Sequence, residues 1–497
     1  MTFRRVLIAN RGEIAIRVAR ACREAGLESI AVYSDADRDA PHTRAVDRAV
    51  RIGPAASAQS YLSIDAIIEA ARVSSAEAVH PGYGFLSENA KFATACDRAG
   101  LVFIGPPASV IERMGSKVAA RELMTSAGVP VVPGITATDQ SDAGILAAAG
   151  QLGFPVLVKA SAGGGGKGMR AVRDQESAAE LIAAARREAI AAFGDGTLYV
   201  ERLIDKPRHV EVQVFGDTHG NIVHLFEREC SIQRRHQKVV EESPSPALTE
   251  PVRTRMTDAA VAAARAAGYV NAGTIEFLLE GSGDNARFYF LEVNTRLQVE
   301  HPVTETLTGM DLVRAQFTVA AGGQLPWTQS EISRRGHAIE CRIYAEDPAG
   351  GFLPQAGRLL FYREPAGPGI RIDSGVVEGG TVSVHYDPLL AKLTATAESR
   401  DAAIARALAA LKRFPILGIR TNVPFLIQLL DHAAMRAGHV HTRFIEDHAL
   451  ELLTARDTPT DALAAAAAIG PASDLPMARK EPSTAADPWA TIRGWGR

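Results

Sequence analysis

The sequence predicts a mixed α/β and α+β protein with an N-terminal doubly wound parallel sheet, a glycine-rich segment and a β-rich C-terminal domain. Three observations predict this class. Strand and helix patterns alternate over residues 1–116, four successive glycines follow a strand near residue 160, and strand patterns dominate beyond Gly336. At 497 residues, the chain is long enough for about three domains.

The first 116 residues show the alternation most clearly. Apolar runs typical of strands cover residues 6–9, 30–33, 78–80 and 102–104, and helical patterns cover residues 13–25, 65–72 and 88–99. Such alternation is typical of a parallel sheet with helices on both faces. The first turn reads Asn-Arg-Gly-Glu, so the glycine fingerprint of dinucleotide-binding folds is missing.

A glycine run marks the next part of the chain. The apolar strand at residues 155–161 contains Lys159 and is followed by glycines at 163–166 and by Lys167. Successive glycines can aim backbone N–H groups at an anion. No Ser or Thr follows Lys167, as a Walker A loop would require. We therefore expect a hairpin flap over phosphates, with a plain flexible hairpin as the alternative.

Cationic side chains are concentrated in the run from Cys230 to Val240. Its alternation predicts that Arg234, His236 and Lys238 share one face, where they would suit phosphate or carbonate oxygens. A solvated charged face is the alternative. Cys230 has no evident His or Asn partner, so the sequence favours a packed core thiol over a nucleophile.

The stretch 288–302 carries the most distinctive pattern. As an extended strand entering a loop, it would place alternate polar residues on one face, namely Glu292, Asn294, Arg296, Gln298 and Glu300. Carboxylates with a carboxamide suit Mg²⁺, and a guanidinium suits a planar oxyanion. Glu276, on the predicted buried strand 273–279, is a third candidate metal ligand because Glu is rarely buried unpaired. A solvated strand end is the alternative.

Bulk properties exclude several classes of function. The formal net charge of -3 argues against a general nucleic-acid-binding protein. The four cysteines lie far apart with no CxxC pair, which favours a reducing compartment and no structural zinc. No stretch is typical of a secretory signal or a membrane span, so we expect a cytoplasmic protein.

Beyond Gly336 the sequence predicts strands near 337–344, 358–362, 370–372, 381–385 and 392–397, then helices at 401–413 and 423–430. From residue 448, five prolines punctuate an Ala-rich segment that is typical of a linker. Trp489 and Trp495 lie near its end, and large aromatics are poor tail residues. We therefore expect the chain to stop just inside a further domain.

Five motifs together resemble biotin carboxylase, an ATP-grasp enzyme. They are M-G-S-K at 114–117, the G-G-G-G-K-G flap, E-C-S-I-Q-R-R-H-Q-K, G-T-I-E-F, and E-V-N-T-R-L-Q-V-E-H-P. The resemblance covers about residues 1–447, and the segment after it is similar to the linker of biotin-containing α subunits of acyl-CoA carboxylases. No A-M-K-M biotin-attachment motif occurs, so the resemblance implies truncation before the biotin carrier domain.

The resemblance implies four regions. They are an N-terminal domain at 1–116, an ATP-grasp domain at 117–334 with a mobile glycine-rich lid at about 132–203, a C-terminal domain at 335–447, and a linker at 448–497. It also implies a nucleotide site for ATP, formed by Lys117, Lys159, Gly165, Gly166, Met169, Glu201, Ile204, His209, Gln233, His236, Leu278, Glu276 and Glu292. Two Mg²⁺ or Mn²⁺ ions would be bound by Glu276, Glu292 and Asn294.

The implied reaction carboxylates biotin with bicarbonate through carboxyphosphate. Bicarbonate would be held by Lys238, Arg296, Gln298 and the Val299 backbone, and Glu300 would remove its proton. Arg342 would stabilise the biotin enolate and Tyr83 would lie near biotin, so the implied catalytic set is Arg296, Glu300, Lys238 and Arg342. The implied partners are a biotin carrier domain and a carboxyltransferase subunit, in a homo-oligomer or larger carboxylase complex, with no nucleic acid or membrane.

Two other functions stay open from the sequence. One is a different ATP-grasp ligase that makes an acyl phosphate for attack by an amine. The other is a nucleotide-sensing regulatory subunit without turnover, against which the metal and base set Glu276, Glu292, Asn294 and Glu300 argues.

Overall fold

Three large sheets organise the protein. The computed structural model describes residues 2–161, 168–454 and 460, and in this part of the chain the sheets have five, four and eight strands. No helix among these residues is both long and apolar enough to cross a membrane.

The N-terminal region forms the five-stranded sheet. Its elements are β1 (Arg5–Ile8), α1 (Gly12–Glu24), β2 (Glu28–Ser34), α2 (Pro41–Arg44), β3 (Arg48–Gly53), α3 (Ile64–Ser74), β4 (Ala78–His80), α4 (Ala90–Arg98), β5 (Val102–Phe103) and α5 (Ala108–Gly115). The strands are parallel in the order β3-β2-β1-β4-β5. Val6 and Leu7 of β1 enter different hydrophobic cores, so both faces are covered and the doubly wound prediction is confirmed. Strand β3 was not predicted, because this edge strand exposes Arg48 and Arg51 and lacks an apolar run.

The four-stranded sheet follows. Its region comprises α6 (Lys117–Ser126), β6 (Gly134–Ile135), α7 (Asp142–Leu152), β7 (Val156–Ala160), β8 (Met169–Val172), α8 (Gln175–Phe193) and β9 (Leu198–Arg202). The strands are antiparallel in the order β6-β9-β7-β8. Apolar residues of α7 and α8 pack on this sheet through Ile145 and Ile182. The predicted flap between β7 and β8 lies largely outside the described residues.

Residues 208–453 build the eight-stranded sheet and its cover. The elements are β10 (Arg208–Gly216), β11 (Ile222–Arg234), β12 (Gln237–Ser243), α9 (Glu250–Ala267), β13 (Asn271–Glu280), β14 (Arg287–Asn294), α10 (His301–Thr308), α11 (Leu312–Ala320), β15 (His337–Tyr344), β16 (Glu346–Asp347), β17 (Leu353–Pro354), β18 (Gly357–Arg358), β19 (Phe361–Tyr362), β20 (Ile370–Ser374), β21 (Thr381–Val382), β22 (Leu389–Ala397), α12 (Arg400–Leu411), β23 (Ile416–Leu417), α13 (Val423–Asp431), α14 (Ala433–Arg436), α15 (Phe444–Asp447) and α16 (Ala449–Leu453).

This central sheet has the order β14-β13-β10-β11-β12-β15-β22-β20, and its neighbouring strands are antiparallel. It therefore joins strands from both sides of residue 335, where we placed a domain boundary. The remaining strands form the pairs β16-β17, β18-β21 and β19-β23. One continuous sheet thus extends from the predicted metal ligands on β13 and β14 to Arg342 on β15.

Strict alternation over residues 288–302 was wrong in two respects. Strand β14 ends at Asn294, and the polar residues beyond it lie in a loop that leads into α10. Where β13 and β14 pair, Glu276 is opposite Glu292 but Phe277 is opposite Phe290. Leu291 of β14 is therefore the extra residue of a β-bulge. The bulge lets Phe288 and Phe290 face the core while Glu292 and Asn294 face the opposite side.

The cationic run at 230–240 is a hairpin rather than one strand. Arg234 pairs with Gln237, which leaves Arg235 and His236 as a two-residue turn in the left-handed region, with φ of 48° and 68°. Arg234 contacts Glu346, 3.4 Å away, instead of sharing a face with Lys238. The predicted common face was therefore wrong for Arg234, because the turn breaks the alternation.

The first residues of the predicted linker are helical. Residues Ala449–Leu453 form α16, and Leu452 is buried in the core around β15 and β22. Trp489 and Trp495 lie outside the described residues.

Candidate active site

The polar face of the central sheet lines a cavity of about 750 Å³. Alternation on β10 and β13 brings His209 and Glu276 to this face, while Val210 and Ile275 enter the core behind it. Residues of the four-stranded sheet line the same cavity. The predicted site residues that line it are Lys117, Lys159, Met169, Glu201, Ile204, His209, Gln233, His236, Lys238, Glu276, Leu278, Glu292, Asn294, Arg296, Gln298, Val299 and Arg342. Gly165 and Gly166 lie outside the described residues.

A second cavity of about 360 Å³ adjoins the first. Arg296, Val299 and Arg342 line both cavities, and Tyr83 lines only the second. The Tyr83 hydroxyl is buried and has no hydrogen-bond partner among the described residues. Of the predicted bicarbonate residues, Arg296 and Val299 thus lie between the two cavities. Lys238 and Gln298 line only the large cavity, and Glu300 lines neither.

Lys238 is the centre of the buried charge network. Its Nζ lies 2.6 Å from Glu211, 2.9 Å from Glu276 and 2.6 Å from Glu300. Burial alone would lower the pKa of Lys238, but the three carboxylates hold it well above the ordinary value. Lys238 is therefore a fixed cation that joins the predicted metal ligand to the predicted base.

Glu300 lies directly behind the cavity and is fully buried. Besides Lys238, it accepts a hydrogen bond from Arg342 Nη2 at 3.0 Å. Burial opposes ionisation, but the charges of Lys238 and Arg342 hold the pKa of Glu300 well below its ordinary value. Glu300 is therefore an ionised carboxylate at neutral pH.

Arg296 is fixed by three side-chain acceptors and by the Leu297 carbonyl. Its Nε donates to Glu88 at 3.0 Å, its Nη1 to Gln298 at 2.7 Å and its Nη2 to Asn294 at 2.9 Å. A guanidinium held on several sides is suited to orient a planar anion.

The predicted metal ligands form a set of hard oxygen donors. Glu276 and Glu292 are directly opposite one another on β13 and β14, and Asn294 donates to Glu276 at 2.8 Å. Burial and the charge of Glu276 raise the pKa of Glu292, so two carboxylates here repel each other. A divalent cation between them would remove that repulsion, and Mg²⁺ prefers such ligands. The residues present therefore fit a divalent metal.

Two lysines that were predicted to bind the nucleotide also line the cavity. Lys159 on β7 pairs with Glu201, which also accepts from Arg121 at 2.8 Å. Lys117, at the start of α6, is mostly buried, and burial lowers its pKa. Both lysines reach the cavity from outside the central sheet.

Sequence reasoning missed several residues of the network. Glu211 and Arg228 form a fully buried pair at 2.6 Å, Glu241 accepts from Arg342 Nε at 2.6 Å, and Lys392 donates to the Val299 carbonyl at 2.6 Å. The alternation His-Val-Glu-Val-Gln at 209–213 contained the signal for Glu211. Glu88 had no such signal, because it lies about 200 residues before its partner Arg296.

The interpretation of Cys230 as a packed thiol is confirmed. The side chain is fully buried, and burial raises its pKa well above the ordinary value. A thiol in that state is a poor nucleophile.

Three family models match this chain in succession. "Biotin carboxylase, N-terminal domain" matches residues 2–111, "Carbamoyl-phosphate synthase L chain, ATP binding domain" matches 116–328, and "Biotin carboxylase C-terminal domain" matches 340–447. The matches agree with the resemblance drawn from the motifs.

Relatives and solved structures give the same result. A mitochondrial methylcrotonoyl-CoA carboxylase subunit alpha of Rattus norvegicus is 51% identical, covering 94% of this chain but 65% of that protein. A biotin carboxylase of Halalkalibacterium halodurans is 50% identical over 92% of this chain and 100% of its own length. The biotin carboxylase domain dimer of Hydrogenobacter thermophilus 2-oxoglutarate carboxylase, in complex with MgADP, ADP and bicarbonate, has a TM-score of 0.87 at 44% identity, covering 92% of this chain and 100% of that one. With the geometry described above, these likenesses show that the chain belongs to the biotin carboxylase family of ATP-dependent ligases.

Proposed function

We propose that this chain carboxylates biotin on a carrier domain, using ATP and bicarbonate, as the first half-reaction of an acyl-CoA carboxylase. The observation that carries the proposal is the position of Glu300, a buried ionised carboxylate held between Lys238 and Arg342, two cations that line the large cavity. A base among cations is suited to an anionic substrate that must lose a proton before it attacks a phosphate.

Bicarbonate binds beside Lys238, Arg296, Gln298 and the Val299 backbone. The negative charge of bicarbonate partly offsets the positive charges of Lys238 and Arg296, so these cations stabilise the Glu300 carboxylate less. The pKa of Glu300 then rises, and Glu300 becomes a stronger base. Glu300 takes the bicarbonate proton, a bicarbonate oxygen bonds to the γ-phosphorus of ATP, and ADP leaves. Carboxyphosphate then breaks down to CO₂ and phosphate. A ureido nitrogen of biotin attacks the CO₂ and loses its proton to that phosphate.

The nucleotide occupies the large cavity. Its phosphates lie beside Lys117, Lys159 and the backbone of Gly165 and Gly166. The residues Met169, Glu201, Ile204, His209, Gln233, His236 and Leu278 surround the remainder of ATP. Two Mg²⁺ or Mn²⁺ ions held by Glu276, Glu292 and Asn294 would neutralise phosphate charge.

Biotin occupies the smaller cavity, beside Tyr83 and Arg342. The buried, unpartnered Tyr83 hydroxyl supports this assignment, because a buried polar group needs a partner. The biotin comes from a carrier domain, and a carboxyltransferase subunit chooses the final acyl-CoA. We place this assembly in the cytoplasm, as a homo-oligomer or part of a larger carboxylase complex.

The test measures phosphate release from MgATP and bicarbonate, with and without free biotin. We expect biotin to increase the rate, and omission of bicarbonate to abolish the increase. No effect of biotin, in a folded sample that binds ATP, would refute the proposal and favour an acyl-phosphate ligase or a nucleotide sensor.

A further inference from the structure

Two buried glutamates behind Arg342 have no role in the chemistry above. Glu241 on β12 and Glu340 on β15 are directly opposite one another in the antiparallel pairing, so both side chains lie on one face of the sheet. Such neighbours have Cβ atoms about 4.5–5.5 Å apart. Both side chains are fully buried, so two neighbouring carboxyl groups lie on one dry face of the sheet.

Each of these carboxyl groups has one partnered oxygen. Glu241 Oε1 accepts from Arg342 Nε at 2.6 Å, and Glu340 Oε2 accepts from Thr394 Oγ1 at 2.8 Å. The other oxygens, Glu241 Oε2 and Glu340 Oε1, are buried without a hydrogen-bond partner among the described residues. Such oxygens are costly to bury, and a proton held between neighbouring carboxyl groups gives each group a partner.

The cations near Glu241 also interact with other carboxylates. Arg342 also donates to Glu300 at 3.0 Å. Lys238 acts on Glu241 electrostatically, but its ammonium group directly contacts three other carboxylates. Burial, the largest influence, raises the pKa of Glu241 to about 7.

The cation near Glu340 also interacts with other carboxylates. Lys392 acts on Glu340, but its Nζ lies 3.1 Å from Glu13 and is also under the charge of Asp373. The charge of Glu241 opposes ionisation of Glu340, and Arg342 favours it more weakly than Lys392 does. Burial, again the largest influence, raises the pKa of Glu340 to about 8.

We propose that Glu241 and Glu340 form a carboxyl pair that shares one proton at neutral pH and positions Arg342 against Glu300. With the proton, the pair carries a single negative charge, which Arg342 balances through Glu241. Without it, a second negative charge lies behind the same guanidinium and draws it away from Glu300. The shared proton rests on the burial and pairing of the two carboxyl groups, whereas its effect on turnover rests on the proposed function.

The first test compares Glu340→Gln with the wild type in thermal unfolding. The pair binds a proton in the folded state that the unfolded chain releases near its ordinary pKa, so stability falls as the pH rises from about 5 to about 8. Glutamine keeps an acceptor for Thr394 and cannot ionise. We expect the unfolding midpoint of Glu340→Gln to fall less between about pH 6 and about pH 9. Thr394→Val keeps both carboxyl groups. Because it removes a hydrogen bond that favours ionisation of Glu340, it should keep or increase the fall seen in the wild type.

Two further readouts complete the test. Infrared spectra of the wild type at about pH 7 should show the C=O band of a buried protonated carboxylic acid. The band should weaken in Glu340→Gln and persist in Thr394→Val. The rate of biotin-dependent phosphate release by the wild type should fall at alkaline pH with an apparent pKa of about 8. In Glu340→Gln the rate should fall at a different pH or not fall at all.

Two results would overturn the pair. One is the same pH dependence of unfolding and turnover in the wild type and Glu340→Gln. The other, decisive if the variant does not fold, is a wild-type spectrum without a protonated-acid band at neutral pH. If the expected unfolding difference appears in a protein without any biotin-dependent turnover, the pair is supported and the proposed function is refuted.

Discussion

Lys159 and Lys238 both lie on strands and line the large cavity, yet their surroundings differ. Lys159 pairs with Glu201 on the four-stranded sheet, and Glu201 has Arg121 as a second cation. Lys238 on the central sheet contacts three carboxylates, Glu211, Glu276 and Glu300. Removal of Lys159 therefore leaves its partner neutralised, whereas removal of Lys238 leaves several buried anions without their common cation. The proposed nucleotide side of the cavity is locally balanced in charge, whereas the proposed bicarbonate side is one connected network.

The largest effect is expected for Lys238→Met. Loss of the shared cation should lower the free energy of unfolding by about 3–5 kcal/mol, because it breaks buried ion pairs by removing one partner. Biotin-dependent turnover should vanish. Denaturant unfolding measures the change, with Lys159→Met as the matched control, for which we expect about 1–2 kcal/mol. Equal decreases in the free energy of unfolding of the two variants would contradict the difference drawn between the surroundings of Lys159 and Lys238.

Next in size is the effect of Glu300→Gln on turnover. The amide cannot accept the bicarbonate proton, and loss of a general base typically lowers the rate by about 10²–10⁴-fold. The affinity for MgATP should stay within about threefold, because Glu300 does not line the large cavity. Glu305→Gln is a suitable control, since Glu305 is a buried carboxylate on α10 paired with Arg17 and Arg371. It should keep the turnover of the folded protein.

The smallest effect is expected for Lys159→Met. It should weaken MgATP binding about tenfold, equivalent to about 1.4 kcal/mol, because one phosphate-facing cation is lost while others remain. The turnover at saturating ATP should fall much less. Calorimetric titration with MgATP measures the affinity, and exposed Lys412→Met is the control. Unchanged affinity would count against a phosphate role for Lys159.

Much of this organisation could be predicted from the sequence. Alternating patterns located the parallel sheet, and the polar residues at 292–300 proved to lie together at the cavity. Their arrangement could not be predicted from the two-residue alternation of a regular strand. Leu291 forms a bulge, and the backbone leaves the strand after Asn294. A period-2 reading fails wherever one extra residue enters a strand.

The division of that stretch into a metal end and a bicarbonate end also needs refinement. Lys238 contacts both Glu276 and Glu300, and Gln298 donates to Glu276 at 3.1 Å. The two ends therefore share hydrogen bonds. Contacts of this kind, like those of Glu88 and Lys392, join residues far apart in sequence, so no local pattern reports them.

The central claim is that nucleotide binding and bicarbonate chemistry are carried by different sides of one cavity. The most direct test measures MgATP affinity and biotin-dependent phosphate release side by side in Glu300→Gln and Lys159→Met. We predict a crossed result: Glu300→Gln binds MgATP normally and does not turn over, while Lys159→Met binds MgATP weakly and turns over when saturated. Equal loss of MgATP binding in both variants, or wild-type turnover by Glu300→Gln, would contradict the claim.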